Sequence, residues 1–145
     1  MKMHFVHYDD LSKDDLYQIL RLRAEVFVVE QDCVYQDLDG YDTQAWHIFV
    51  KDDDRIVACS RVFVDNGAEV RIGRVVVAHD CRRRGIATGM LRKCIDIAET
   101  AYNAKSIVLD AQIYALSLYE GVGFKIDSEE FLEDGIPHYR MRLVI

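Results

Sequence analysis

The 145-residue chain is half apolar and 30% charged, enough to bury one real core without disulfide staples. It holds no apolar run long enough to cross a membrane, and Met1–Phe5 lacks the features of a secretory signal, so a cytoplasmic location is the default expectation. A net charge of −7 disfavours nucleic acid as a partner.

Residues 3–7 read as a first strand. Ser12 is an N-cap with Asp15 three residues on, and Leu16, Ile19, Leu20, Arg23, Val26 and Phe27 follow helical spacing. Residues 30–43, with five acids and scattered aromatics, read as an irregular loop. Three strands follow at 45–51, 56–64 and 70–77, the last two joined by the Asn66-Gly67 hairpin signal. The end of the third, Val75-Val76-Val77, suits a strand covered on both faces. Paired apolar positions from Ile86 to Ala98 mark a long amphipathic helix over 84–102. A buried strand at 106–111, a short helix at 115–122 ended by Gly123, and strands at 125–131 and 138–144 complete the chain. Pro137 is the only proline and no linker or repeat appears, so residues 1–145 are expected to form one α/β (α+β) domain, a mixed sheet with helices on its faces. Cys33, Cys59, Cys81 and Cys94 show no ligand-pair spacing, so free thiols and no metal are expected.

Charge is unevenly placed. Between Arg71 and Lys93 stand seven basic residues and one acid, a window of +6 in a chain that is otherwise −13. Such a window is either a solvated charge run or a site for a compact anion. Within it, Val75-Val76-Val77 leads to Arg82-Arg83-Arg84-Gly85-Ile86-Ala87-Thr88-Gly89 at the start of the long helix. The first turn of a helix has unpaired N–H groups and the positive end of the macrodipole. Glycine lets a diphosphate approach the backbone, and arginines add charge. Neither GxxxxGK[ST] nor GxGxxG is present, so this is not a nucleoside-triphosphate or dinucleotide loop.

Arg82-x-x-Gly85-x-Ala87 resembles the Q/R-x-x-G-x-G/A pyrophosphate signature of the GNAT superfamily of N-acetyltransferases. The element order is also similar across nearly the whole chain. Ala115-x-x-Leu118-Tyr119-x-x-x-Gly123-Phe124 resembles a second segment of that superfamily. The segments 20–31, 35–40, 72–77 and 133–138 look like those of ElaA-type acetyltransferases. The resemblance implies the acyl-CoA N-acyltransferase fold, its central sheet mostly antiparallel with helices on both faces. It also implies acetyl-CoA as co-substrate, with the coenzyme pyrophosphate on the backbone of Arg83 through Thr88 (Arg83, Arg84, Gly85, Ile86, Ala87, Thr88) and Arg82 nearby. Pantetheine would pair with Val75, Val76 and Val77 like an added strand, where that strand splays from 107–111. Tyr119 would protonate the departing thiolate, as a phenol can in a dry cleft; otherwise it is a core aromatic. Two positions depart from the pattern: Ala87, where glycine is commoner, and Tyr114, near the place of a coenzyme-contacting asparagine.

An attacking amine must lose a proton. Glu30, His47 and Glu25 are candidate bases, beside segments that floor the acceptor site in the family. His47 could instead be a strand histidine bonded to backbone, and Glu30 a solvated charge. Glu30, Asp37, Asp39 and Asp42 could draw in a cationic amine or simply coat a loop, and His138 could face the cleft or fix the last turn. No Cys-His arrangement argues for an acetyl-enzyme, so acetyl transfer to a small-molecule or peptide amine by direct attack in a ternary complex is expected. A non-catalytic acyl-CoA sensor and an enzyme for longer acyl groups would share the pyrophosphate loop. A homodimer is compatible with all three.

Overall fold

The computed structural model describes residues 1–145. Strands β1 (Lys2–His7), β2 (Trp46–Asp52), β3 (Arg55–Val64) and β4 (Val70–Val77) form an antiparallel run. Next to β4 lies β5 (Ser106–Gln112), followed by β8 (Ile136–Val144), which also pairs with β6 (Lys125–Ile126) and β7 (Phe131–Glu133). Only β4 and β5 run parallel, so the sheet is mixed and mostly antiparallel. Helices α1 (Lys13–Arg23), α2 (Ile86–Tyr102) and α3 (Leu116–Glu120) complete the fold.

Helices cover both faces of the sheet. Successive strand residues point opposite ways: Ser60 Oγ lies 3.2 Å from Cys94 Sγ of α2, while its neighbour Cys59 faces the Arg23 end of α1. Every residue of β3 from Ile56 to Phe63 is therefore buried. The sulfurs of Cys59, Cys81 and Cys94 belong to this interior, and all four cysteines are free thiols.

Helix α1 begins where Ser12 caps it, its hydroxyl accepting from Asp15 N–H at 3.1 Å. It continues as a wider π-helical turn over Ala24–Glu30. The next loop is irregular as expected, apart from a short 3₁₀ turn at Asp42–Gln44. A single strand at 125–131 does not form. Asp127 N–H bonds Arg140 O at 2.8 Å, the chain then leaves the ladder, and β7 returns as one arm of a hairpin whose turn is Asp134-Gly135.

Loop 31–41 is held by ion pairs buried beneath it. Arg23, 1% exposed, places Nη1 2.7 Å from Asp42 and Nε 2.9 Å from Asp37. Arg61 reaches Asp42 at 2.9 Å and also pairs with Asp39. Arg74 holds the other oxygen of Asp37 at 2.8 Å. Burial alone would raise the Asp42 carboxyl, but the hydrogen bonds and charges of Arg23 and Arg61 hold it below the usual range. Asp42 thus stabilises the fold at neutral pH and loses that contribution as pH falls through its lowered value. Replacing Asp42 with Ala leaves two buried guanidiniums short of a counter-charge. We expect a loss of about 3–5 kcal/mol, measured by chemical denaturation at neutral pH.

Candidate active site

The parallel junction between β4 and β5 is short. Val70 faces Ile107 and Arg71 faces Val108, and no pairing continues beyond them. From Ile72 onward the β4 edge that looks toward β5 therefore has no strand partner, and a cleft of about 460 Å³ opens between the two. On its other edge, β4 carries a bulge. Gly73 lies opposite Arg61 and Val76 opposite Cys59, so three steps on β4 match two on β3. Arg74 takes up the extra residue at φ 51°, bending the strand where the cleft begins. Val76 is buried, but Val75 and Val77 are only partly so. The expectation of cover on both faces fails here because one face looks into the cleft.

At the far end of β4 the chain reaches the start of α2. Gly85 is its N-cap residue, at φ 76°, and no side chain caps the helix, in contrast to α1. The first backbone bond inside the helix is Gly89 N–H to Gly85 O, so the N–H groups of Ile86, Ala87 and Thr88 point out of the helix end unpaired. A Cβ at Gly85 would meet nothing within 4 Å. Val75 to Val77, Arg82, Arg83 and Gly85 to Thr88 all line the one cleft; Arg84 does not, and its guanidinium turns to Asp80 O.

The arginine side chains are distributed differently from expectation. Arg82 is bound bidentately by Glu30, at 2.8 and 3.0 Å, and donates Nε–H to Val77 O at 3.0 Å. Its guanidinium ties the π-helical turn to the loop before α2 rather than standing free for an anion. Arg83 lines the cleft at φ 65° without a carboxylate partner, so a bound anion would find Arg83 and the backbone of α2.

Tyr119 enters from α3. That helix closes with Phe124 N–H bonded to Tyr119 O at 3.1 Å and Gly123 N–H to Glu120 O at 3.0 Å. Gly123 stands at φ 105°, where a side chain would be strained. The Tyr119 ring packs edge-on to Phe124 with centroids 6.4 Å apart. Its residue is 8% exposed and lines the cleft. Burial pushes the phenol above its usual range. Tyr114 also lines the cleft but is largely exposed.

The bases expected from sequence are not gathered at the cleft. His47 is 1% exposed and its Nε2–H donates to Asp42 O at 2.9 Å, on the α1 side of the sheet. Burial lowers its pKa, consistent with a neutral ring held by backbone. Glu30 is engaged by Arg82, whose hydrogen bond holds the carboxyl below the usual range and makes it a poor proton acceptor. Glu25 lies in a separate hollow with Gln18 and Arg55. The acids that could have drawn in a cation, Asp37, Asp39 and Asp42, are neutralised by Arg23, Arg61 and Arg74. His138 does face the cleft, together with Asp110, Glu133 and Asp134; in the sequence Glu133 stands out only within the ElaA-like segment 133–138. No cluster of three or more His, Cys, Asp or Glu is placed to hold a metal ion, and no helix is long and apolar enough to cross a membrane.

The profile of the acetyltransferase (GNAT) domain matches residues 8–145. The chain belongs to the GNAT acetyltransferase family. Within that family it is similar to protein ElaA of Escherichia coli, 36% identical over 94% of this chain and 92% of that protein. The crystal structure of E. coli ElaA superposes with a TM-score of 0.92 at 34% identity, covering 99% of both chains. An acyl-CoA N-acyltransferase from Pseudomonas aeruginosa gives the same TM-score and identity over 99% of this chain and 100% of that one. A UPF0039 protein of Schizosaccharomyces pombe is 38% identical over 96% of this chain and 94% of that protein. The GNAT fold accounts for the mixed sheet, and the ElaA likeness agrees with the flanking segments singled out in the sequence.

Proposed function

We propose that this chain, as one acetyltransferase domain over residues 1–145, transfers the acetyl group of acetyl-CoA to a primary amine by direct attack in a ternary complex. The observation that carries the proposal is the continuity of one cleft, which joins the uncapped end of α2, the unpaired edge of β4 and Tyr119. Each part suits a different piece of an acyl-CoA.

The N–H groups of Ile86 to Thr88, with Arg83, supply the donors and positive dipole that a diphosphate needs. On the unpaired edge of Val75 to Val77 the backbone groups can pair with pantetheine amides as a strand would, except Val77 O, which already accepts from Arg82 Nε–H. That alignment carries the thioester toward the bulge at Arg74, where a β4 N–H freed from the ladder can polarise the thioester carbonyl. Tyr119 then supplies a proton to the sulfur as the C–S bond breaks. Most of the rate comes from holding amine and thioester together and from preorganised donors.

Thermal-shift measurement with a series of acyl-CoA species, followed by thiol release over a panel of primary amines, tests the proposal. Acetyl-CoA at a hundred-fold excess over its Kd should stabilise the fold by about 2.7 kcal/mol. Release of coenzyme A thiol should then depend on added amine. No thermal shift overturns coenzyme binding. A shift without turnover on any amine makes the chain a sensor, and faster turnover with longer acyl chains overturns the acetyl assignment.

A further inference from the structure

The turn between β7 and β8 sets two proton-carrying side chains against the cleft. Glu133 ends β7, and His138 lies on β8 opposite both Phe131 and Gln112, so strands on either side fix its backbone. The His138 ring is 5% exposed and stacks on Phe131 with centroids 5.9 Å apart. Its Nδ1–H donates to Ile136 O at 2.7 Å. That bond selects the tautomer and leaves Nε2 of the neutral ring as the acceptor. Nε2 is 3.4 Å from Glu133 Oε2.

Glu133 also stands beside both walls of the wedge. The charged groups that act on it are Asp110 of β5, Asp134 of the turn, Arg74 at the β4 bulge, and His138. Asp110 follows closely after the last β5 residue paired with β4. Arg74 is already bound by Asp37 and so is not free to pair with Glu133, while Asp110, held by Arg71, sets a like charge beside it. Cys33 Sγ–H points to Asp134 O at 3.5 Å and closes the group on the loop side. Burial, with the nearby Asp110 and Asp134, raises the Glu133 carboxyl against the pull of His138 and Arg74. Glu30 has the opposite setting, clamped and lowered.

Resting on the acetyltransferase reading above, we infer that Glu133 is the base that takes a proton from the acceptor ammonium, with His138 as the residue that positions it. The incoming ammonium gives one proton to the Glu133 carboxylate, where His138 Nε2 can share it. The freed nitrogen lone pair forms the C–N bond at the thioester carbonyl carbon. As the tetrahedral intermediate collapses, the C–S pair leaves with sulfur, which receives a proton from Tyr119. The nitrogen sheds its second proton, which restores the Tyr119 phenol through the cleft, and Glu133 returns its proton to solvent. One amide, one thiol and one released proton balance the reaction.

The test compares two small acceptors with acetyl-CoA: methylamine, an ammonium at neutral pH, and hydroxylamine, which is largely neutral there. Glu133→Gln keeps the side-chain shape at a half-exposed position. Acetylation of methylamine should fall by about 10²-fold or more, the usual range for a positioned base, while hydroxylamine acetylation changes less than about three-fold. The rate of the variant on methylamine should climb with pH as the free amine grows, without the wild-type acid limb. His138→Asn should move that limb and leave acetyl-CoA affinity unchanged. Equal losses with both acceptors, or no loss with methylamine, overturn the role of Glu133 while leaving the transferase standing. Wild-type protein that binds acetyl-CoA but acetylates neither acceptor overturns the transferase reading, and this assignment with it.

Discussion

Gly85→Glu should abolish acetyl-CoA binding while the protein stays folded. Gly85 sits at φ 76°, a region that costs a residue with a Cβ roughly 1–2 kcal/mol. Space is not the obstacle, because a Cβ there meets no atom within 4 Å. A glutamate would instead carry its carboxylate into the open end of α2, where unpaired N–H groups await an anion. It would answer those donors itself and repel a diphosphate. Gly85→Ala separates the two effects, since it carries the backbone strain without the charge. Both variants should lose similar stability by thermal unfolding, but only the glutamate should lose binding by calorimetry. Near-normal affinity in Gly85→Glu would remove the phosphate from this loop.

Tyr119→Phe should lower kcat by about 10²–10⁴, the range for a positioned general acid, with little change in the acetyl-CoA KM or in Tm. The ring and its edge-on packing on Phe124 are kept. Only the hydroxyl is lost, so stability has little to lose. Because the thiolate exists only late in the reaction, the missing interaction belongs to the transition state, and kcat falls without KM. Burial raises the phenol, so its acidic form persists to higher pH than that of a free tyrosine. Tyr119 should therefore add no basic limb to the wild-type pH profile near neutrality. The desolvation that makes the phenol a weaker acid also raises the basicity of a thiolate formed beside it, which keeps the transfer feasible. A large drop in Tm would make Tyr119 a packing residue, and an unchanged rate would leave a water as the donor.

What the sequence made visible was set by short-range chemistry. Ser12, the 3.6-residue stripe of α2, the hairpin at Asp65–Gly67 and the loop through Gly85 each lie within a few residues of what they control. Val75 to Val77 and Tyr119 lie on the cleft through local strand and helix signals read alongside the family pattern. Side-chain commitments across the chain were not visible. The bond between Arg82 and Glu30 spans 52 positions, and it converts two expected functional groups into a strut. For His47 the sequence offers a strand histidine bonded to backbone beside the base reading, and the fold decides for the former by naming Asp42 O as the partner of its Nε2. Conversely, Glu133 is marked in the sequence only by the segment 133–138, and it takes β8 lying between β5 and β7 to bring His138 beside it. The strand at 125–131 failed because apolar alternation stops after Ile126, and Asp127 to Glu130 offer no face to bury.

The two-residue junction of β4 with β5 would make a bound coenzyme part of the architecture. On one side of it lie β1 to β4, on the other β5 to β8, and beyond Arg71 and Val108 no backbone bond joins the halves. A pantetheine arm lying in the wedge would stitch them together, so the loaded molecule would be stiffer than the empty one. Every stitch that aligns the thioester before reaction must come undone after it, since the spent thiol keeps the same arm. Tight grip along Val75 to Val77 would thus slow the exit of product, and the cleft would work fastest when its hold on that arm is moderate.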